Sequence, residues 1–150
     1  MHKANEQVRL NLMLADSAQV VGGKLFVLGG GISSSLCSVA IPLAICGTID
    51  IPWNETNIKR TITIDLLDEN RQPAMIPTSP ISTGPFSISA QFEAGRPPGA
   101  TKGASFTIPF AVQFIRPPLK KGRYEFLMRL DGTEVQVLTL ELVEALPPVA

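Results

Sequence analysis

The sequence predicts an all-β fold: a sandwich of about eight antiparallel strands, immunoglobulin-like, C2-like or jelly-roll-like. Three observations predict it. Apolar and polar residues alternate with period two through most of the chain. Glycine pairs, an Asp-Gly pair and most of the 13 prolines fall between the alternating runs. No window carries the apolar stripe of an amphipathic helix.

The elements follow in order. Val8, Leu10, Leu12 and Leu14 share one face, with Arg9 and Asn11 on the other. Asp16 is a possible N-cap, so residues 16–21 are expected to form one short helical turn. Gly22-Gly23 then signals a hairpin into Leu25-Phe26-Val27-Leu28, a strand with no polar face. In 43–51, Leu43, Ile45, Ile49 and Ile51 alternate with Ala44, Cys46, Thr48 and Asp50. Ile58, Ile62, Ile64 and Leu66 alternate with polar residues, and only Arg60 breaks the pattern. Phe86, Ile88, Ala90 and Phe92 make the next face, followed by Phe106, Ile108, Phe110, Val112 and Phe114. Pro109 inside that run marks an edge strand or a bulge. Tyr124, Phe126, Met128 and Leu130 lead into Asp131-Gly132, a strong hairpin signal. In the last strand, 135–143, the apolar parity changes, which predicts a bulge near Val137.

The chain has 150 residues, the size of one domain, and residues 1–150 are read as one, with 1–6 and 147–150 flexible. The loop 94–103 is expected to be poorly ordered too. Thirteen basic and 13 acidic residues give a net charge of zero, where a nucleic-acid binder carries a basic excess. The basic cluster Arg116, Lys120, Lys121 and Arg123 reads as a solvated turn, so no nucleic-acid partner is expected. Residues 25–49 carry no charge, but the glycine run 29–31, the serines 33–35 and Pro42 make a poor continuous helix. A membrane span is therefore not expected. The apolar start of the chain is broken by Asn11 and Asp16, which argues against an export signal. Cys37 and Cys46 form no CxxC pair and read as small buried thiols. The predicted location is cytoplasmic.

The run LNLMLADSAQVVGGKLFVLGGG, residues 10–31, resembles the opening of a family of small bacterial proteins, mostly actinobacterial, known only as a domain of unknown function. The later run RPPLKKGRYEFLMRLDG, 116–132, is compatible with that family's later strands. The resemblance implies a β-sandwich of this length. It carries no catalytic or binding residues over to this chain.

The residues offer little for catalysis. The single histidine is His2, which removes Ser-His-Asp and Cys-His nucleophiles and the commonest zinc sites. The run Gly29 to Ser35 lacks the Lys-Ser/Thr pair and following helix of a phosphate loop, and reads as a crossing between sheets. Asp65, Asp68, Glu69 and Asn70, with Asp131 if it lies at the same end, could make one lobe of a calcium site. No dedicated calcium-loop spacing is present, so they read as turn residues. Trp53 could stack on a sugar or plug one end of the core.

These readings predict no enzyme, no cofactor and no metal. The leading expectation is a non-catalytic structural or protein-interaction module whose partner is protein, itself or another, and most simply a homo-oligomer. Its candidate contact residues are Leu25, Phe26, Leu28 and Trp53. Leu25 to Leu28 need cover on both faces, from the loop 29–42 folding back or from a second chain. The alternative is a small-ligand, carbohydrate-type binder built around Trp53.

Overall fold

Alternation gives most strands one dry face, and in the computed structural model of the chain, which describes residues 7–145, these dry faces meet. Eleven strands are described: β1 (Arg9–Val21), β2 (Lys24–Gly30), β3 (Ser34–Leu36), β4 (Ile41–Ile51), β5 (Arg60–Leu67), β6 (Met75–Ser79), β7 (Ser82–Pro85), β8 (Ser87–Phe92), β9 (Phe106–Arg116), β10 (Gly122–Leu130) and β11 (Thr133–Val143). Sheet A has the order β2-β1-β4-β9, sheet B the order β3-β11-β10-β5-β8, and β6 and β7 form a separate ribbon. Neighbouring strands are antiparallel except β3, which runs parallel to β11. Residues 31–33 cross from sheet A to sheet B, as the glycine-serine run suggests.

Sheet A contributes Leu12, Leu14, Leu43, Ile45, Ile49 and Ile51 to the core. Sheet B contributes Ile62, Ile64, Leu66, Phe126, Met128, Leu140 and Leu142. Three aromatic rings lock the layers: Phe114 of β9 lies 5.3 Å from Phe86 and 5.8 Å from Phe126 of β10, centroid to centroid. Phe110 packs against the same core but is only partly buried.

Several sequence expectations need correction. Three strands beyond the eight expected are present, namely β3, β6 and β7. They are short and rich in serine, threonine and proline, and they show no alternation. Residues 16–21 extend β1 and form no helical turn. Val20 and Val21 favour a strand, and the Gly22-Gly23 turn pairs them at once with Leu25 and Lys24. Ile58 lies outside β5 and is exposed. The bulge in β11 falls at Val135, the residue skipped between the pairs Arg129–Glu134 and Met128–Gln136. Gln136 keeps the inward parity of Leu138 and Leu140, and the skipped residue lets Glu134 face outward with Arg129. The Gln136 carboxamide then donates to the Leu12 carbonyl at 3.0 Å and accepts from the Leu12 N–H at 3.2 Å, joining the sheets. Pro109 does sit in an edge strand, β9. The loop 94–103 is anchored by buried Ala94, whose carbonyl accepts from Asn57 N–H. Residues 1–6 and 147–150, expected to be flexible, lie outside the described residues.

Arg116 departs furthest from expectation, because its side chain is 0% exposed where a solvated turn was predicted. It continues the inward series Phe106, Ile108, Phe110, Val112, Phe114, and parity carries it inside. The guanidinium donates to the carbonyls of Pro117 at 2.9 Å, Val39 at 3.2 Å and Leu36. These backbone dipoles tie the β3–β4 loop to the end of β9. Burial pushes the arginine's pKa down, the expected sign for a cation held out of water.

Two predictions follow from the packing. Phe126→Ala should lower unfolding stability by about 3–5 kcal/mol, while Ser89→Ala, on the exposed face of β8, should change it by less than about 0.5 kcal/mol; urea titration checks both. Arg116→Met should destabilise by about 1–3 kcal/mol for each carbonyl left without a donor. Arg116→Lys should recover only part of that loss, since an ammonium lacks the planar fork.

Candidate interaction surface

The middle of the outer face of sheet A is apolar where a sandwich normally meets water. Ala44 and Cys46 of β4 point away from the core and yet are fully buried. What covers them is the second half of β1. Arg9 to Ala15 pair with β4, but Ser17 to Val21 pair only with β2. Residues 17–28 therefore make a hairpin arm. Its two-residue turn has φ of +59° at Gly22 and +74° at Gly23, the left-handed pair that a type I′ hairpin requires.

One face of the arm lies on the sheet: Ala18, Leu25 and Val27 pack with Ala15, Ala44, Cys46, Ala111 and Met13. Small residues let the two layers approach. Gln113 of β9 holds the arm down by accepting from Ala18 N–H at 3.2 Å and Ser17 Oγ at 3.3 Å. Gly29, at φ +63°, leaves no room for a Cβ beside the Asp16 side chain. A Cβ on Gly30 would lie 3.1 Å from the Met13 thioether. Gly29 and Gly30 thus serve close packing. Burial also pushes the Cys46 thiol pKa up, which keeps it protonated and suits a packing role.

Among the described residues, none covers the other face of the arm. Val21 is 53%, Phe26 54% and Leu28 72% exposed. Ile81, in the β6–β7 turn, is more exposed, but the arm gathers three large apolar side chains on one ribbon face. Of the residues singled out in the sequence, Phe26 and Leu28 share this face, and Leu25 goes to the underside. The loop 29–42 is not the cover, because residues 31–33 leave for sheet B.

Trp53 sits elsewhere, just beyond the far end of β4 in a single 3₁₀ turn, Trp53–Glu55. The Arg96 guanidinium stacks 3.7 Å from its ring centroid and donates to the Trp53 carbonyl at 3.0 Å. Phe106 lies 6.3 Å away, ring to ring. One indole face is therefore occupied by a residue distant in sequence.

The acidic residues are spent on structure. Asp65 pairs with Arg129 at 2.6 Å, and Asp68 Oδ1 accepts from the N–H groups of Asn70 and Gln72. Asp131 engages the start of β5, at the other end of that strand from Asp68. Among the described residues, no three His, Cys, Asp or Glu side chains converge on a possible metal position. A groove of 520 Å³ opens on the outer face of sheet B, floored by Leu67 and Leu127. Its charges pair as Asp65–Arg129 and Arg71–Glu134. Among the described residues, no helix is long and apolar enough to cross a membrane.

Fold and surface together define an all-β sandwich bearing an apolar hairpin arm on one sheet. The chain belongs to DUF6941, a family of unknown function, which matches residues 10–143. That span reaches from the start of β1 to the last residue of β11. No curated protein matches the chain.

The Asp131 turn also sets a pH response. Asp131 accepts from Arg60 at 2.9 Å and from Thr61 N–H at 3.0 Å. The hydrogen bond from Arg60, then that from Thr61, hold its carboxyl below the usual aspartate range. A carboxyl lowered in the folded state contributes stability above its unfolded pKa, and that contribution is lost as pH falls below about 4. Asp131→Asn should therefore be less stable than the unmodified chain at pH 7, with the gap closing under acid; urea midpoints across that range check this.

Proposed function

We propose that this protein is a non-catalytic interaction module, acting in the cytoplasm on a protein partner, and that its working surface is the outer face of the β1–β2 arm. The observation that carries the reading is the exposure of Val21, Phe26 and Leu28 together on one ribbon face. These side chains, 53–72% exposed, forgo a corresponding share of the roughly 1.5–3 kcal/mol that full burial of each would give. A partner that covers the arm recovers that energy.

The sheet edges support the same surface. β9 carries Pro109, β3 is three residues long, and β8 turns Ser87, Ser89 and Gln91 outward. These are features that discourage strand addition or leave it little apolar surface. β2 has a charge only at Lys24, beside the turn, and contains no proline. It is the undefended edge, and it carries Phe26 and Leu28.

A second reading, a small-ligand binder, is favoured by the 520 Å³ groove on sheet B, a size suited to a small molecule. The groove is a more open site than Trp53, one face of whose ring is taken by Arg96. The groove's charges already neutralise each other, so the arm remains the stronger candidate.

The test is thiol labelling in a Cys37→Ser background. Leu28→Cys should react with a maleimide more slowly than Ser89→Cys inside the protein's own cells, and at a comparable rate once purified and diluted. Equal rates for the two sites inside the cells would overturn the arm as a working surface.

A further inference from the structure

We infer that the arm's partner is the arm of a second copy, with β2 paired antiparallel to β2 across a two-fold axis at Phe26. This rests on the arm being the working surface and names its occupant. Hairpin geometry sets the register. In a two-residue hairpin the residues flanking the turn form a hydrogen-bonded pair, and such pairs alternate along the ladder. Val21 pairs with Lys24, Gln19 with Phe26 and Ser17 with Leu28. The peptide groups of Lys24, Phe26 and Leu28 therefore turn toward β1, and those of Leu25 and Val27 turn away from it. Among the described residues β2 pairs only with β1, so these outward groups form an open row.

An antiparallel second β2 closes that row. Leu25 of each copy faces Val27 of the other, and both partners offer an N–H and a carbonyl. Phe26 then faces its own symmetry mate in a non-hydrogen-bonded position, where opposing side chains come closest. Both rings lie on the exposed face of the arm, and each shields the other.

Charge points to the same occupant. Between residues 16 and 31 the charged residues are Asp16 and Lys24. Asp16 stands at the base of the arm and Lys24 at its tip. An antiparallel copy sets the tip of each arm beside the base of the other and keeps the two Lys24 side chains apart. A parallel arrangement would set like against like. The pairing is isologous, the commonest form of closed self-association, and it joins the two A sheets into one. A contact of a single strand pair lies at the small end of stable interfaces, so the dimer should dissociate with dilution.

The experiment combines sedimentation equilibrium with symmetric cross-linking, on the full chain. The unmodified protein should shift from monomer to dimer over the micromolar range. Phe26→Asp should remain monomeric with an unchanged circular dichroism spectrum; should that variant fail to fold, Phe26→Thr, a good strand former, carries the same test. In the Cys37→Ser background, Phe26→Cys should oxidise to a covalent dimer, because opposed Cα atoms roughly 4.5 Å apart suit a disulfide. Leu28→Cys should not, because its symmetry mate lies along the strand and out of reach. A monomer at every concentration would overturn the self-pairing, and labelling of Leu28→Cys in cells would still decide whether the arm meets a different protein. A dimer that survives Phe26→Asp, or that cross-links through residue 28 as well as through 26, would overturn this axis.

Discussion

The middle of sheet A is dry on both faces, and much of the structure follows from that constraint. A pleated strand points successive side chains to opposite sides, and along β4 the run Leu43, Ala44, Ile45, Cys46 is buried at every position. Sheet B covers one side, so the other side needs a second layer. The chain supplies it from within, by letting β1 run beyond its pairing with β4 and return as β2. The cover is only a two-stranded ribbon, with two faces of its own. Its underside is apolar in order to match Ala44 and Cys46, and among the described residues no further layer lies above its upper side. The apolar surplus is thus passed outward by one layer and emerges as Val21, Phe26 and Leu28.

A strand shared in this way lacks a neighbour at two places along its backbone, and glutamine side chains serve both. Gln136 reaches from β11 to the N–H and carbonyl of Leu12, and Gln113 reaches from β9 to the N–H of Ala18. A carboxamide carries the same donor and acceptor as a peptide group, so each stands in for part of a missing strand. The bulge at Val135 lets Gln136 face inward in line with Leu138 while Glu134, one pair nearer the turn, faces outward with Arg129.

Much of the architecture was legible because alternation is a local signal. The inward sets of β5, β8, β9 and β10 could be read residue by residue, and Gly22-Gly23 and Asp131-Gly132 marked their hairpins. Arg116 was legible too, since it continues the parity of β9, but its charge suggested solvent and hid the pattern. The short strands β3, β6 and β7 gave no such signal, because three to five residues of serine, threonine and proline carry no period. Leu25 could not be assigned to the underside from sequence, since a strand without a polar face does not say which side is covered. The stacking of Arg96 on Trp53 joins residues 43 positions apart, and the ion pairs rimming the sheet B groove join residues more than sixty apart. Contacts of that kind are made by the fold and leave no mark on neighbouring positions.

The placement of Cys46 gives the layered sheet an internal clock. Its thiol lies beneath the arm, 0% exposed and with a raised pKa. Reagents in solution reach it only when the ribbon peels away from β4 or when the whole sandwich opens. Local opening of a peripheral element is generally easier than global unfolding. The rate at which Cys46 is modified in the native protein therefore meters how often the ribbon lifts. Whatever rests on the ribbon's upper side must slow that clock without touching the sulfur.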